Sequence, residues 1–184
     1  MMSTQTSHAP CTYQDYLNTP DDVRYELIEG ELLVMEPAPT TSHQRVVVNL
    51  TLLLAPFARD HGLGEVLISP TDVYLSDTNV LQPDLLFVSA ARASIITERD
   101  VHGAPDLVVE IASPATRRRD RTVKMDIYAR HGVAEYWLAD PAAATVETLR
   151  LKDGQMAATG RYGRPDTFTT PLLPGLSVDL RKIF

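Results

Sequence analysis

Five consecutive residues, Leu107-Val108-Val109-Glu110-Ile111, constrain this chain more than any other stretch. Pro105-Asp106 precedes them and Ala112-Ser113-Pro114 follows, so the run is bounded by breaking residues. Its length and β-branched content predict a strand rather than a helix. Alternate strand residues share a face, so Leu107, Val109 and Ile111 lie on one side and Asp106, Val108, Glu110 and Ala112 on the other. Both sides are mostly apolar, as expected of a central strand covered on both faces. An ionised carboxylate inside such a strand costs several kcal/mol unless a cation, a metal or a proton accompanies it. Which group meets Glu110 is therefore the first question the sequence poses.

A cation is available downstream. A helix is predicted from about Thr116 to His131, with Gly132 as its stop signal. At helical spacing Asp120, Val123, Lys124, Ile127, Tyr128 and His131 fall on a single stripe, and its apolar members point that stripe at the core. Lys124 sits in the middle of the stripe, where its ammonium is aimed at the sheet and at Glu110. Asp120 precedes Lys124 by four residues, a spacing that pairs side chains on a helix.

A second carboxylate comes from "LQPDLLFVS", in which Asp84 opens an apolar strand. Pro105-Asp106 offers a rival acid, but Asp106 and Glu110 are four residues apart on one strand, roughly 13 Å. One metal ion with ligands about 2.1 Å away does not span that gap. Asp84, on a different strand, is free to lie beside Glu110. Two carboxylates and a lysine suit metal-dependent phosphodiester hydrolysis: the acids hold Mg²⁺ or Mn²⁺, and the amine positions water or stabilises charge on the phosphate.

The rest of the chain is consistent with a single domain. The first eleven residues lack the apolar centre of a secretory signal and read as a frayed tail, leaving 12–184 as the folded unit. A short helix is expected at Tyr13–Leu17. A β-hairpin spans Arg24 to Met35 with its turn at Glu29-Gly30. A long helix runs from about Ser42 to His61, carrying Val46, Leu50, Leu53, Leu54 and Phe57. Further strands are expected at 65–69, 72–75, 84–89 and 106–112, at "AEYWLAD", and as a set of short strands after Thr145. Strands on both sides of two helices argue for an α/β or α+β fold with a mixed central sheet flanked by helices. The 184 residues are 44% hydrophobic and 22% charged, and no apolar run is long enough to span a membrane. The one cysteine, Cys11, excludes an internal disulfide and a thiolate zinc cage, and a cytoplasmic location is the default. A net charge of −7 argues weakly against non-specific nucleic-acid binding, although the run Arg117-Arg118-Arg119-Asp120-Arg121 offers a local basic patch.

The stretches "PDLLFVS" and "PDLVVEIASPATRRRDRTVKMDIYARHGVAEYWLADP" resemble the Uma-two family of the PD-(D/E)XK, or restriction-endonuclease-like, superfamily. The likeness extends from "YELIEGEL" through "SHQRVVVNL" to "LPGLSVDL". It implies the restriction-endonuclease-like fold, DNA cleavage, Asp84 and Glu110 as metal ligands, and a homodimer. The superfamily lysine would stand two residues after Glu110, where this chain has Ala112. The resemblance implies that the lysine has migrated to the following helix, and Lys124 fits that slot. Glu26 and His43 also match recurring positions.

Each site residue has a plainer reading beside the chemical one. Glu110 and Lys124 could form a structural ion pair in a non-catalytic binding or assembly domain. Asp84 could be a strand-start aspartate, and His43 a satisfied histidine at the edge of the core. Glu26 could be a solvated strand residue, and Asp120 the helix partner of Lys124. Arg117, Arg118, Arg119 and Arg121 read either as phosphate contacts or as a solvated face. Trp137 is core by default.

Overall fold

The computed structural model describes residues 9–20, 22–35 and 39–184. Most of the expected N-terminal tail, residues 1–8, lies outside them. At the end of that stretch the Cys11 N–H donates to Gly30 O at 2.8 Å.

The central layer is a six-stranded mixed sheet in the order β11-β10-β9-β8-β6-β3. It is formed by β3 (Gly64–Ile68), β6 (Leu85–Ser89), β8 (Leu107–Ile111), β9 (Glu135–Asp140), β10 (Thr145–Lys152) and β11 (Gln155–Gly163). Only β8 and β9 pair in parallel, joined by a helical crossover. The strand that carries Glu110 is buried throughout, as its apolar run requires. One face packs against α2 (Thr41–Asp60), where Val46, Leu50 and Leu54 meet Leu107, Val109, Ile111 and Trp137. On the other face Val108, Tyr136 and Leu138 meet Ile127 and Tyr128 of the crossover.

A second sheet adjoins that other face, in the order β2-β1-β5-β4-β7. It contains β1 (Tyr25–Ile28), β2 (Glu31–Val34), β4 (Val73–Ser76), β5 (Asn79–Leu81) and β7 (Val101–His102). The β1–β2 hairpin turns at Glu29 and Gly30, with φ of 51° and 82°. Two consecutive positive values are what the favoured two-residue hairpin turn demands. At Gly30 a Cβ would also press to 2.5 Å from the Pro10 side chain. The first helix, α1 (Tyr13–Leu17), is capped by Thr12 and Asp15 in a reciprocal box and packs its Tyr16 onto this sheet.

Two expectations need correction. The C-terminal part is not only short strands: β10 and β11 form a long hairpin, eight and nine residues, before the two-residue pair β12 (Thr167–Phe168) and β13 (Val178–Asp179). The Lys152-Asp153-Gly154 turn closes it without interrupting the ladder, since Asp153 and Gly154 both take positive φ. The second-half helix is not regular either. It comprises α3 (Arg117–Arg119), a π-helical stretch Asp120–Lys124, and α4 (Met125–His131). Among the described residues no helix is long and apolar enough to cross a membrane.

Candidate active site

A cleft of about 560 Å³ opens where the ends of β1, β6 and β8 meet the start of α2 and the interrupted helix. Asp84, Glu110, Lys124, Glu26, His43 and Asp120 all line it. The topology explains the convergence. Asp84 stands one step beyond the Leu85–Val109 pair of the antiparallel β6/β8 ladder, which places it across from Glu110. Its carboxylate turns over the end of β8: Oδ2 accepts the Ile111 N–H at 2.7 Å, and Oδ1 lies 3.2 Å from His43 Nε2. His43 is positioned by the N-terminus of α2, whose cap Thr40 accepts the His43 N–H at 3.3 Å. With Nε2 facing the acid, Nδ1 is left buried and without a partner among the described residues.

Lys124 points into the protein, and both it and Glu110 are 4% exposed. Its Nζ lies 2.8 Å from Glu26 Oε1, 3.2 Å from Glu110 Oε1 and 3.8 Å from Asp120 Oδ1. Tyr128 OH donates to the same Glu110 oxygen at 3.2 Å. Glu26 Oε1 also accepts the Gln82 N–H at 3.0 Å. Glu26 is thus buried at 3% exposure, which corrects its reading as a solvated hairpin residue. It stands on β1 of the second sheet with its side chain turned toward Lys124. The side chain of Asp106, the rival acid, is spent on structure, accepting from Ser89 N and Arg92 Nη1.

The π-helical stretch accounts for the one failure of the helical stripe. Val123, expected in the core, is 38% exposed. Regular α-spacing would group it with Lys124, but the wider π-turn rotates it outward while Asp120 and Lys124 both face inward. His131 is only half-buried.

Electrostatically the cleft is crowded with negative charge. Glu26, Glu110 and Asp120 surround one ammonium, and Asp84 lines the same cleft. Burial pushes the Glu110 carboxyl well above its ordinary range; Lys124 opposes the shift, and Asp120, Asp84 and Glu26 add to it. Burial raises Asp120 too, with Lys124 opposing. For Lys124, burial lowers the pKa but the surrounding carboxylates outweigh it, so the amine is held charged.

The basic run does not act as one patch. Arg117 pairs with Asp140 at 2.7 Å and Arg121 with Glu147 at 2.8 Å, both on the neighbouring strands. Arg118 is exposed. Only Arg119 lines the cleft, 3.9 Å from Glu26 Oε2. Two cleft residues carried no sequence signal of their own. Arg24 opens into the cleft just before β1, and Gln82 stands two residues before Asp84. The Gln-Pro-Asp proximity is the sole hint for Gln82.

A hard divalent ion fits the donors. Asp84 and Glu110 stand opposite each other on adjacent strands and line one cleft, and Mg²⁺ is commonly held by one or two carboxylates with waters completing the shell. Among the described residues no three His, Cys, Asp or Glu side chains group tightly enough to hold a metal unaided. Both bonds to Glu110 fall on Oε1, which leaves Oε2 for the cleft.

The structure is similar to that of a "putative nuclease belonging to DUF820" from Anabaena variabilis ATCC 29413, with a TM-score of 0.78 and 20% identity over 95% of this chain and 98% of that one. Residues 12–181 match the Uma2 family, described as "Putative restriction endonuclease", and the chain belongs to that family. No curated protein matches it.

Proposed function

We propose that the chain is an endonuclease that hydrolyses DNA phosphodiester bonds with the help of Mg²⁺ or Mn²⁺. The observation that carries this reading is the convergence of Asp84, Glu110 and the buried Lys124 in one cleft. Asp84 and Glu110 would hold the ion, whose Lewis acidity would stabilise charge building on the phosphate. Ile111 N–H and His43 fix the Asp84 carboxylate so that it needs no reorganisation on binding. Lys124 orients Glu110 and supplies a fixed positive charge beside the phosphate. Glu26 and Asp120 in turn hold Lys124 in place. Two copies of the chain, each cutting one strand, would give a double-strand break.

Cleavage of plasmid DNA in Mg²⁺ or Mn²⁺ tests the proposal. Wild-type protein should nick it and lose this activity in EDTA. Asp84→Asn should lower kcat by about a hundredfold or more, with the fold intact by circular dichroism. A wild-type chain that cuts nothing with any divalent ion overturns the reading.

A non-catalytic domain is the second reading, and the three-carboxylate grip on Lys124 favours it, because such a cluster is also what a structural lock looks like. In that case divalent ions should leave the melting temperature unmoved. A bound ion at a hundred times its Kd should instead add about 2.7 kcal/mol.

A further inference from the structure

We propose that Arg24 is the substrate-phosphate contact of this cleft, gripping the DNA backbone next to the bond that is cut. The proposal rests on the nuclease reading and goes beyond it, since the sequence directs attention to Arg117, Arg118, Arg119 and Arg121 instead.

The structure gives Arg24 three properties that those arginines do not combine. First, it lines the cleft that holds Asp84 and Glu110. Second, its guanidinium is held by neutral acceptors. Nε and Nη2 donate to Gln82 Oε1 at 3.1 and 2.6 Å, and Nη2 donates to Ser69 Oγ at 2.7 Å. Among the described residues no carboxylate lies within ion-pair reach of it, so none of them offsets its charge. Arg117 and Arg121 spend theirs on Asp140 and Glu147, and Arg119 faces Glu26. Third, the fork is pre-organised. Gln82 Nε2 donates to Asp72 Oδ1 at 2.8 Å and to Tyr16 OH at 3.2 Å, which fixes the amide that holds Arg24. The Gln82 backbone N–H also binds Glu26, the carboxylate that grips Lys124. Arg24 is therefore set at a fixed offset from the site.

A planar, always charged fork whose Nη1 has no hydrogen bond among the described residues matches a phosphate oxygen. Among the described residues no Phe, Tyr or Trp lines the cleft, and the His43 ring is engaged with Asp84, so recognition falls on the sugar-phosphate backbone.

The test is steady-state DNA cleavage by the full chain in Mg²⁺ or Mn²⁺ over a series of NaCl concentrations, comparing wild type, Arg24→Gln and Arg24→Lys. Thermal melts establish that each variant folds. Arg24→Gln should raise KM about tenfold with kcat nearly unchanged, on substrates of any sequence. The slope of log kcat/KM against log salt should flatten by about one. Arg24→Lys keeps the charge and should keep the slope while raising KM to a smaller extent, so it decides the matter if the glutamine variant does not fold. Wild type that cleaves DNA alongside an Arg24→Gln variant of unchanged KM and salt slope overturns this proposal alone. A loss confined to kcat also overturns it, because Arg24 then acts only by positioning Gln82. Wild type that cleaves nothing removes the nuclease reading, and this proposal with it.

Discussion

Two buried glutamates sit on the neighbouring parallel strands β8 and β9, and they are treated differently. Glu135, 3% exposed, is fully matched: Arg150 Nε donates to Oε1 at 2.6 Å, and Thr170 Oγ1 and Trp137 Nε1 donate to Oε2 at 2.7 and 3.2 Å. One acid meets one cation, and each oxygen has a partner. Glu110, equally buried, shares a single ammonium with Glu26 and Asp120 and puts its bonds on one oxygen. The Glu135 arrangement is complete and ties the C-terminal segment to the sheet. The Glu110 arrangement carries more negative charge than its protein partners offset, and that excess suits a centre that takes up a cation.

The comparison breaks most visibly at the shared ammonium. Lys124→Met leaves Glu110 and Asp120 with no counter-charge among the described residues, Glu26 keeping only Arg119, and should cost about 3–5 kcal/mol, read from urea denaturation without metal. A loss under 1 kcal/mol would show that the acids are already neutral in the native protein.

Next in size is the contrast between the two glutamates themselves. Glu135→Gln turns one accepting oxygen into an amide beside Arg150 and should destabilise by about 2 kcal/mol; Arg150 is half-solvated, which limits the loss. Glu110→Gln should cost less than about 1 kcal/mol, because it removes a charge the site disfavours. Equal losses would erase the distinction.

The smallest effect is on pH dependence. The Glu110 carboxyl is raised above its ordinary value of 4.5, so above that pH the native state keeps a proton that the unfolded chain releases. Metal-free stability should therefore fall as pH rises from about 4.5 toward the raised native value. Lys124 is shifted upward as well, so its contribution persists through neutral pH and is lost only in strong alkali. Denaturation midpoints across pH 5 to 8 should fall less steeply for Glu110→Gln than for wild type. Parallel profiles would mean that Glu110 is ionised throughout.

The central strand, α2 and the inward aim of Lys124 were legible because each is written locally, in an apolar run or a helical stripe. Asp84 was legible through spacing, since Asp106 lies too far along the strand of Glu110. Glu26 was reached only through the family resemblance, and Arg24 not at all. Their surroundings depend on β1 pairing with the three-residue β5 and on that sheet adjoining the central one, and strands this short carry no alternation to read. The basic run misled because charge density along a chain says nothing of which acids the fold brings to each arginine. Asp140 and Glu147 arrive only once β9 and β10 have paired.

The π-helical stretch has a further consequence. The wider turn sets where Asp120 and the residues before it stand relative to Lys124, so the Asp120 contact with the ammonium is encoded in spacing as much as in side-chain identity. Deleting one surface residue of that turn, such as Thr122, would let the crossover relax into ordinary α-pitch and rotate Asp120 and the arginines before it relative to Lys124, which stays joined to the packed α4. Insertions and deletions there would thus act on the Asp120–Lys124 pair much as a mutation of Asp120 would.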